Sequence, residues 1–337
     1  MFFANSALNG LNGLSKIPYN STGGGIYNAG NMVLNGCCLC SNVVQGSDAS
    51  NYEYLPGNGL GGGIYNAGQL FATNCTVALN FSLAGYGAQN YASIPVLTNG
   101  AALGAGIYNA TNATAFLMNL TLASNLCNAS GPTPNNYYPT NGFSGGDQVA
   151  NQVGGTLHLH NTLLACAGTN GNAYGTVTDD GYNFSSDGSA ALFASGSSYN
   201  YTDPKLLALT NNGGPTLTMA LASNSPAIDY GDNNGAPGVD QRGFIRPFGS
   251  SVDAGAYEYG STNFAALPIG LGIAGSGQNW AVSFTATPSY TYHLQWSTNL
   301  TSWNDLEVIS GLSAISNVTS SVNLQGSAKK FYRVWYQ

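Results

Sequence analysis

The sequence predicts an all-β protein: a parallel β-helix, which is a solenoid of stacked coils, followed by a small C-terminal β-sandwich. A glycine-rich motif recurs along the first half of the chain. Charged residues make up only 6% of the 337 residues, whereas about 25% is usual for a globular domain. All four tryptophans lie after position 260. We therefore expect two domains, at 1–260 and 261–337.

The repeated motif is a glycine turn followed by Ile-Tyr-Asn. It begins at Gly23, Gly61 and Gly104, and a degraded fourth copy begins at Gly145. A short stretch of alternating apolar and polar residues follows each copy, which is typical of a strand. Two or three short strands cannot bury an apolar face alone, whereas stacked units pair with one another at about 4.8 Å. The repeat therefore predicts coils of a parallel β-helix.

Asparagines recur at turns between these strands. Asn74, Asn119 and Asn161 occupy equivalent positions in successive units. Side-chain amides stacked in register can bond to one another in a ladder. We expect such a ladder here.

Long insertions interrupt each unit at one point, at about 10–22, 46–60, 85–103 and 129–144. Insertions at one point of a repeat fall on one face of a solenoid, which is often its binding face. Tyrosine combines an apolar ring with a polar tip, suited to sugars or to another protein. The alternative is that these rings pack on the coil and shield it. The binding-face candidates are Tyr19, Tyr52, Tyr54, Tyr86, Tyr91, Tyr137 and Tyr138.

The units of the first domain resemble the repeats of polymorphic outer-membrane adhesins. The region from about 173 to 259, which we call the closing segment, is similar to bacterial choice-of-anchor β-helix proteins, which are secreted and tethered to the cell surface. This resemblance implies a right-handed β-helix and a surface location, and no particular activity. Its motifs are Asp203-Pro204, Asn212-Gly-Gly-Pro215, Ser225-Pro-Ala-Ile-Asp229, Asp240-Gln-Arg242 and Asp253-Ala-Gly-Ala-Tyr-Glu258.

The last domain differs in composition from the first. Clear alternation at 290–296 and 331–335 predicts several short strands and a small β-sandwich. The stretches 292–303 and 330–334 resemble C-terminal modules of secreted planctomycete and verrucomicrobial proteins.

Several features indicate an extracellular, cell-surface glycoprotein. N-x-S/T sequons are abundant, and the low charge fits a glycosylated surface. Residues 1–5 lack a signal-peptide pattern, so we expect a mature form or a fragment. The glycosylation candidates are Asn20, Asn74, Asn80, Asn109, Asn112, Asn119, Asn128, Asn183, Asn200, Asn299 and Asn317.

The chain has six cysteines. Aligning the repeats places Cys37 over Cys75 in the next coil. Stacked Cα atoms about 4.8 Å apart lie within disulfide range. The alignment predicts a disulfide between coils, and the alternative is a buried stack of thiols.

Charge excludes several classes of function. The net charge is −7 with only 7 basic residues, which argues against nucleic-acid binding. No apolar run is long enough for a membrane span. Residues 1–145 contain only Asp48, Glu53 and Lys16 as charged groups, too few for polysaccharide-cleaving chemistry. We expect no enzyme activity and no cofactor, with a calcium site at Asp229 and Asp232 as a weaker alternative.

These observations favour a structural or adhesive protein. A β-helix has open ends, and unpaired strands invite pairing. Contact between unlike ends of identical copies propagates as a filament. We therefore expect other copies of this protein, bound head to tail, and covalent or bound glycans as its partners. The alternatives are a carbohydrate-binding adhesin that uses the tyrosine-rich loops and a polysaccharide lyase or glycoside hydrolase.

Overall fold

The computed structural model describes residues 1–8, 19–49, 55–87, 99–129, 141–165, 168–189, 193–262, 272–276, 279–286, 291–299, 301–310, 316–323 and 330–336. Throughout these ranges the long regular elements are β-strands. No helix in the same ranges is long and apolar enough to cross a membrane. The chain forms two compact units, Met1–Ser261 and Thr262–Gln337.

The first unit begins with two coils of five strands each. Coil 1 contains β1 (Phe2–Phe3), β2 (Ser6–Leu8), β3 (Ser21–Thr22), β4 (Ile26–Asn28) and β5 (Asn31–Asn35). Coil 2 contains β6 (Cys38–Cys40), β7 (Val43–Gln45), β8 (Gly59–Leu60), β9 (Ile64–Asn66) and β10 (Gln69–Thr73).

Two further full coils and a shorter one follow. Coil 3 contains β11 (Thr76–Ala78), β12 (Phe81–Leu83), β13 (Ala102–Leu103), β14 (Ile107–Asn109) and β15 (Thr114–Met118). Coil 4 contains β16 (Thr121–Ala123), β17 (Leu126–Asn128), β18 (Ser144–Gly145), β19 (Val149–Asn151) and β20 (Thr156–His160). Coil 5 contains β21 (Leu163–Ala165), β22 (Ala173–Tyr174) and β23 (Thr178–Asp179), and β24 (Phe184–Ser185) follows it.

Equivalent strands of successive coils pair in parallel and form five sheets. Sheet 1 has the order β1-β6-β11-β16-β21-β24, and sheets 2 to 5 start from β2, β3, β4 and β5 in the same way. The register repeats without slippage: Leu70 pairs with Met32 on one side and Ala115 on the other. The insertions all fall between sheets 2 and 3. This stack of parallel sheets is consistent with the predicted β-helix.

The core lies inside the coils and is filled in rows. Leu70, Ile64, Ile107 and Leu157 are almost completely buried in it. The turn that enters sheet 4 requires glycine: Gly61 has a φ of +73°, and a Cβ there would lie 2.4 Å from the carbonyl oxygen of Ile64. The glycine-rich motif is thus the corner of each coil.

Two ladders of side-chain amides run through the stack, and neither is the one predicted. One joins the Asn of each Ile-Tyr-Asn motif through Nδ2 to Oδ1 distances of 2.7–2.8 Å. The other ends on Gln148, with spacings of 2.7–3.0 Å. The ladders are Asn28–Asn66–Asn109–Asn151 and Asn5–Asn42–Asn80–Asn125–Gln148.

Aromatic rings stack on the outer surface in the same register. The rings of Tyr27, Tyr65 and Tyr108 are nearly parallel, with centroids 5.2 and 5.1 Å apart. Phe71 and Phe116 stack at 5.1 Å, and His158 continues that row at 4.6 Å. The ring faces therefore cover one another, and exposure falls along the tyrosine row from 55% at Tyr27 to 7% at Tyr108.

From Leu206 onward, the closing segment runs back over the outer face of sheet 1. It contains β25 (Leu206–Thr210) and β26 (Thr218–Leu221), which pair antiparallel. Met219 packs against a row of small side chains on sheet 1, formed by Ala78, Ala123 and Ala165. The segment reaches back to the turn between coils 1 and 2, where Thr216 Oγ1 donates to the carbonyl of Gly36 at 3.2 Å.

The turn asparagines hold this segment, which explains why they do not form the expected ladder. Asn74 Nδ2 donates to the carbonyl of Val239 at 2.8 Å. Asn119 Nδ2 donates to the carbonyl of Asp253 at 3.3 Å, and only a 3.5 Å contact joins it to Asn161.

Buried ion pairs organise the end of the segment. Arg246 Nε lies 2.8 Å from Glu258 Oε2, and its Nη1 donates to Asn74 Oδ1 at 3.0 Å. Arg242 pairs with Asp240 at 2.7 Å. Burial, and then the charge of Glu258, raises the pKa of Asp253 to about 7.

The second unit consists of two antiparallel three-stranded sheets. Its core contains Val282, Phe284, Tyr292, Leu294 and Val322. One sheet has the order β27-β28-β31 and the other β30-β29-β32. The strands are β27 (Gly272–Ser276), β28 (Asn279–Ala286), β29 (Tyr292–Ser297), β30 (Asn304–Ile309), β31 (Ser316–Asn323) and β32 (Phe331–Tyr336).

Candidate functional site

The first candidate is the face of coil 1 that points away from coil 2, which we call the coil-1 face. In the described part of the chain, β1 to β5 each pair with a strand on one side only. Phe2, on the row of Leu39, is 37% exposed there, and Phe3 is 52% exposed. Unpaired strand edges with apolar side chains are a template for further pairing.

The hydrogen bonds of the amide ladders all run in one direction relative to this face. Asn28 Nδ2 donates to Asn66 Oδ1, so each ladder donates away from the coil-1 face. Asn66 Oδ1 accepts from both Asn28 Nδ2 and the N–H of Gly68. The Oδ1 of Asn28 accepts from the equivalent N–H of Gly30. In Asn66 the amide of the preceding coil fills a second acceptor position on Oδ1, and Asn28, which is 7% exposed, is the first amide of this ladder.

The opposite end of the stack is covered by the chain itself. Phe193 packs onto the core of the coils, and Tyr199 forms a bridge to Phe184 on sheet 1. Asp179 accepts hydrogen bonds from the N–H of Ser195 at 2.8 Å and from Ser198 Oγ at 2.7 Å. The two ends of the coil stack are therefore unlike.

The second candidate is a groove at the bases of the insertions. It has a volume of about 520 Å³, within the range of small-molecule sites. Leu55 and Phe143, which are 54% and 53% exposed, line it together with backbone and amide groups of Asn58, Asn99 and Asn141. Apolar and amide groups from three coils thus meet on the face where the tyrosines were predicted.

The tyrosine candidates themselves are only partly described. Tyr19 and Tyr86 are both exposed, at the flanks of two insertions. The N–H of Tyr86 donates to Asp48 Oδ1 at 2.8 Å. The other five lie outside the described residues: Tyr52, Tyr54, Tyr91, Tyr137 and Tyr138.

Burial divides the sequons into two groups. The amide nitrogens of the first group are buried in hydrogen bonds, either within the coils or under the closing segment, where a glycan has no space. This group is Asn74, Asn80, Asn109, Asn119 and Asn183. The second group is exposed or half-buried: Asn20, Asn112, Asn128, Asn200, Asn299 and Asn317.

The predicted cysteine pair lies as two neighbouring thiols. The N–H of Cys37 donates to Cys75 Sγ at 3.4 Å, and Cys75 Sγ donates to the carbonyl of Thr73 at 3.1 Å. Both side chains are unbonded thiols in this structure. The side-chain interaction with Cys75 lowers the pKa of Cys37 to about 6.

The acidic residues hold backbone groups. Asp229 Oδ1 accepts from the N–H of Ser250 at 2.8 Å, and Asp232 Oδ1 accepts from the N–H of Asn234 at 2.9 Å. Among the described residues, no group of three or more His, Cys, Asp or Glu side chains is arranged to hold a metal ion. His158 Nδ1 contacts Asp180 Oδ2 at 2.9 Å.

Sequence reasoning missed the ladder that ends on Gln148. The signal was present, because Asn42, Asn80 and Asn125 each stand two residues after the last residue of a sheet 1 strand and directly before an apolar residue. The groove could not be predicted, since its lining residues come from three separate coils.

The chain matches no protein-family model, no curated protein and no solved structure.

Proposed function

We propose that this protein is a secreted, glycosylated, non-enzymatic structural or adhesive surface protein, and that it is the self-assembling subunit of an extracellular filament. Its first unit would be a right-handed parallel β-helix, since about 98% of parallel crossover connections are right-handed. Its second unit would be a small β-sandwich. The resemblance of the closing segment to choice-of-anchor proteins supports the surface location.

The observation that carries this proposal is the coil-1 face. Its strand edges and its apolar side chains lie on one surface, and the ladder that begins at Asn28 donates away from it. If the coil-1 faces of two copies met, the acceptor end of each amide ladder would lie against the acceptor end of the same ladder in the other copy. The face therefore favours an unlike surface of a second copy, and repeated contact between unlike surfaces produces an open filament.

The side-chain chemistry of the coils supports a structural role. In the coils, buried asparagines bond to one another or to backbone, and aromatic rings stack on one another. Carboxylates of the closing segment, such as Asp240, Glu258 and Asp229, bind arginines or backbone N–H groups. These groups hold the coils and the closing segment together.

Electron microscopy and sedimentation of the purified full-length protein test this proposal. We expect filaments, and we expect Phe2→Lys to abolish them because it places a charge on the coil-1 face. The matched control is Val153→Lys, at a side chain that is 91% exposed on a lateral turn, and it should assemble normally. Single particles at every concentration would refute filament assembly.

The groove favours a second candidate, a carbohydrate-binding adhesin. Exposed apolar side chains beside amide groups suit a sugar ring and its hydroxyls. On a glycan array, Leu55→Ala and Phe143→Ala should then reduce retention at least tenfold, with Val153→Lys as the control. A polysaccharide lyase or glycoside hydrolase is the third candidate, and release of product from a polysaccharide, abolished by substitution of acids in 229–258, would establish it.

A further inference from the structure

Strand β6 carries two cysteines that point to the same side. Alternation along the strand sends Leu39 into the core, where it is fully buried, and sends Cys38 and Cys40 to the opposite face. Both are fully buried. Their sulfur atoms lie 2.6 Å apart, and each sulfur has the other as its hydrogen-bond partner.

The backbone allows a bond between them. Residues two apart on a strand have Cα atoms about 6.4–6.8 Å apart, which is the upper end of the range for disulfides. The two sulfur atoms already face each other, and closing the bond requires a local bend of the strand that brings the two Cβ atoms within about 3.5–4.5 Å. We propose that Cys38 and Cys40 form an intrastrand disulfide when the protein meets an oxidising environment.

The competing pair, Cys37 and Cys75, is arranged differently. Cys37 Sγ donates to the carbonyl of Asn35 at 3.4 Å, and Cys75 Sγ donates to that of Thr73 at 3.1 Å. Each of these thiols thus has a backbone acceptor for its proton. Oxidation would remove both hydrogen bonds, whereas oxidation of the pair on β6 removes only the contact between the two sulfur atoms.

The reaction is thiol–disulfide exchange with a low-molecular-weight disulfide such as oxidised glutathione. The hydrogen bond from Cys38 lowers the pKa of Cys40, so the Cys40 thiolate is the attacking nucleophile. Its attack releases one small thiolate and leaves a mixed disulfide. Cys38 then loses its proton and attacks the Cys40 sulfur, which releases the second small thiol. One small disulfide is reduced to two thiols, and one protein disulfide forms.

The position of the pair determines when this can happen. In sheet 1, Cys38 pairs with Thr76 and Cys40 with Ala78. The closing segment covers these neighbours through Gln241 and Met219. The exchange therefore requires the closing segment to be undocked, either during folding or by local opening. Once formed, the disulfide is shielded from reductants.

The test uses the full-length protein refolded with oxidised and reduced glutathione. It is then denatured without reductant, alkylated, digested and analysed by mass spectrometry. We expect four of the six cysteines to be alkylated, and the fragment with residues 38–40 to lack two hydrogens. Reduction should be at least tenfold slower in the native protein than in denaturant. The setting proposed above is extracellular, but this test does not depend on it or on filament formation.

Variants make the assignment specific. Cys38→Ala and Cys40→Ala should each leave no disulfide, and Cys75→Ala should leave the disulfide intact. A bridge between Cys37 and Cys75 in the unmodified protein would overturn the proposal. Alkylation of all six cysteines after oxidative refolding would overturn it as well, and both results are read from the wild-type chain whatever the variants do.

Discussion

The amide ladder through Asn80 should contribute a large share of the stability of the coils. Asn80 is fully buried. Its Oδ1 accepts from the N–H and Nδ2 of Asn42 at 3.0 and 2.8 Å. Its Nδ2 donates to the carbonyl of Leu39 at 3.0 Å and to Asn125 Oδ1 at 2.8 Å. Asn80→Ala removes all four hydrogen bonds.

The size of the loss follows from which groups keep a partner. The backbone N–H of Asn42 is left buried without an acceptor, which costs about 1–3 kcal/mol. The Nδ2 of Asn42 still reaches the carbonyl of Phe2, and Asn125 Oδ1 still accepts from the N–H of residue 80. Each of the three other hydrogen bonds contributes about 0.5–1.5 kcal/mol net. We expect the free energy of unfolding to fall by about 2.5–7.5 kcal/mol.

The two units can be followed separately in one denaturation experiment. All four tryptophans lie in the second unit, so tryptophan fluorescence reports that unit, and far-ultraviolet circular dichroism also reports the coils. Asn80→Ala should lower the midpoint of the coil transition and leave the tryptophan transition unchanged. Asn31→Ala, at an exposed position on β5, is the matched control and should change stability by less than about 0.5 kcal/mol. A loss below about 1 kcal/mol for Asn80→Ala would refute the reasoning.

Three further outcomes are expected. The raised pKa of Asp253, about 7 when folded and 3.8 in the reference state, means that the folded protein binds more protons between these values. This contribution to stability is present below about pH 4 and is lost as the pH rises through 7. In urea titrations at pH 5 and 8, Asp253→Asn should reduce the difference in the free energy of unfolding between the two pH values. Gly61→Ala should cost about 1–3 kcal/mol in the same assay because of its positive φ. Gly30→Ala, where an added Cβ meets open space, should leave the free energy of unfolding unchanged. Equal losses of stability for Gly61→Ala and Gly30→Ala would contradict the argument. Met219→Ala should cost about 2–5 kcal/mol and increase hydrogen exchange in the closing segment, whereas unchanged exchange would mean that Met219 does not hold it.

Most of the fold could be predicted from the repeat in the sequence. Gly23, Gly61 and Gly104 mark a corner that recurs at fixed register, and each coil must satisfy the same geometry. The path of the closing segment could not be predicted in this way. Asn74 and Asn119 look like members of a ladder, but their partners are backbone carbonyls more than a hundred residues away. Local periodicity contains no information about such distant partners.

The candidate site was less accessible to sequence reasoning. Sequons such as Asn80 and Asn109 match a glycosylation pattern, and only the fold shows that their amides are inside the ladders. Likewise, the alignment of repeats brought Cys37 next to Cys75 but said nothing about the direction of each thiol. Side-chain direction depends on the turn between β5 and β6, which is formed by Gly36 and Cys37 and has its positive φ at Gly36.

The return path of the closing segment has a consequence for synthesis on the ribosome. Asn74 and its partner Val239 are 165 residues apart, and chains elongate at about 5–20 residues per second. The outer face of sheet 1 therefore stays uncovered for roughly 10–30 s after coil 2 has emerged. During that interval, nascent chains on neighbouring ribosomes present the same row of small side chains to one another. A factor that binds this row until residue 258 has emerged would raise the yield of the folded protein.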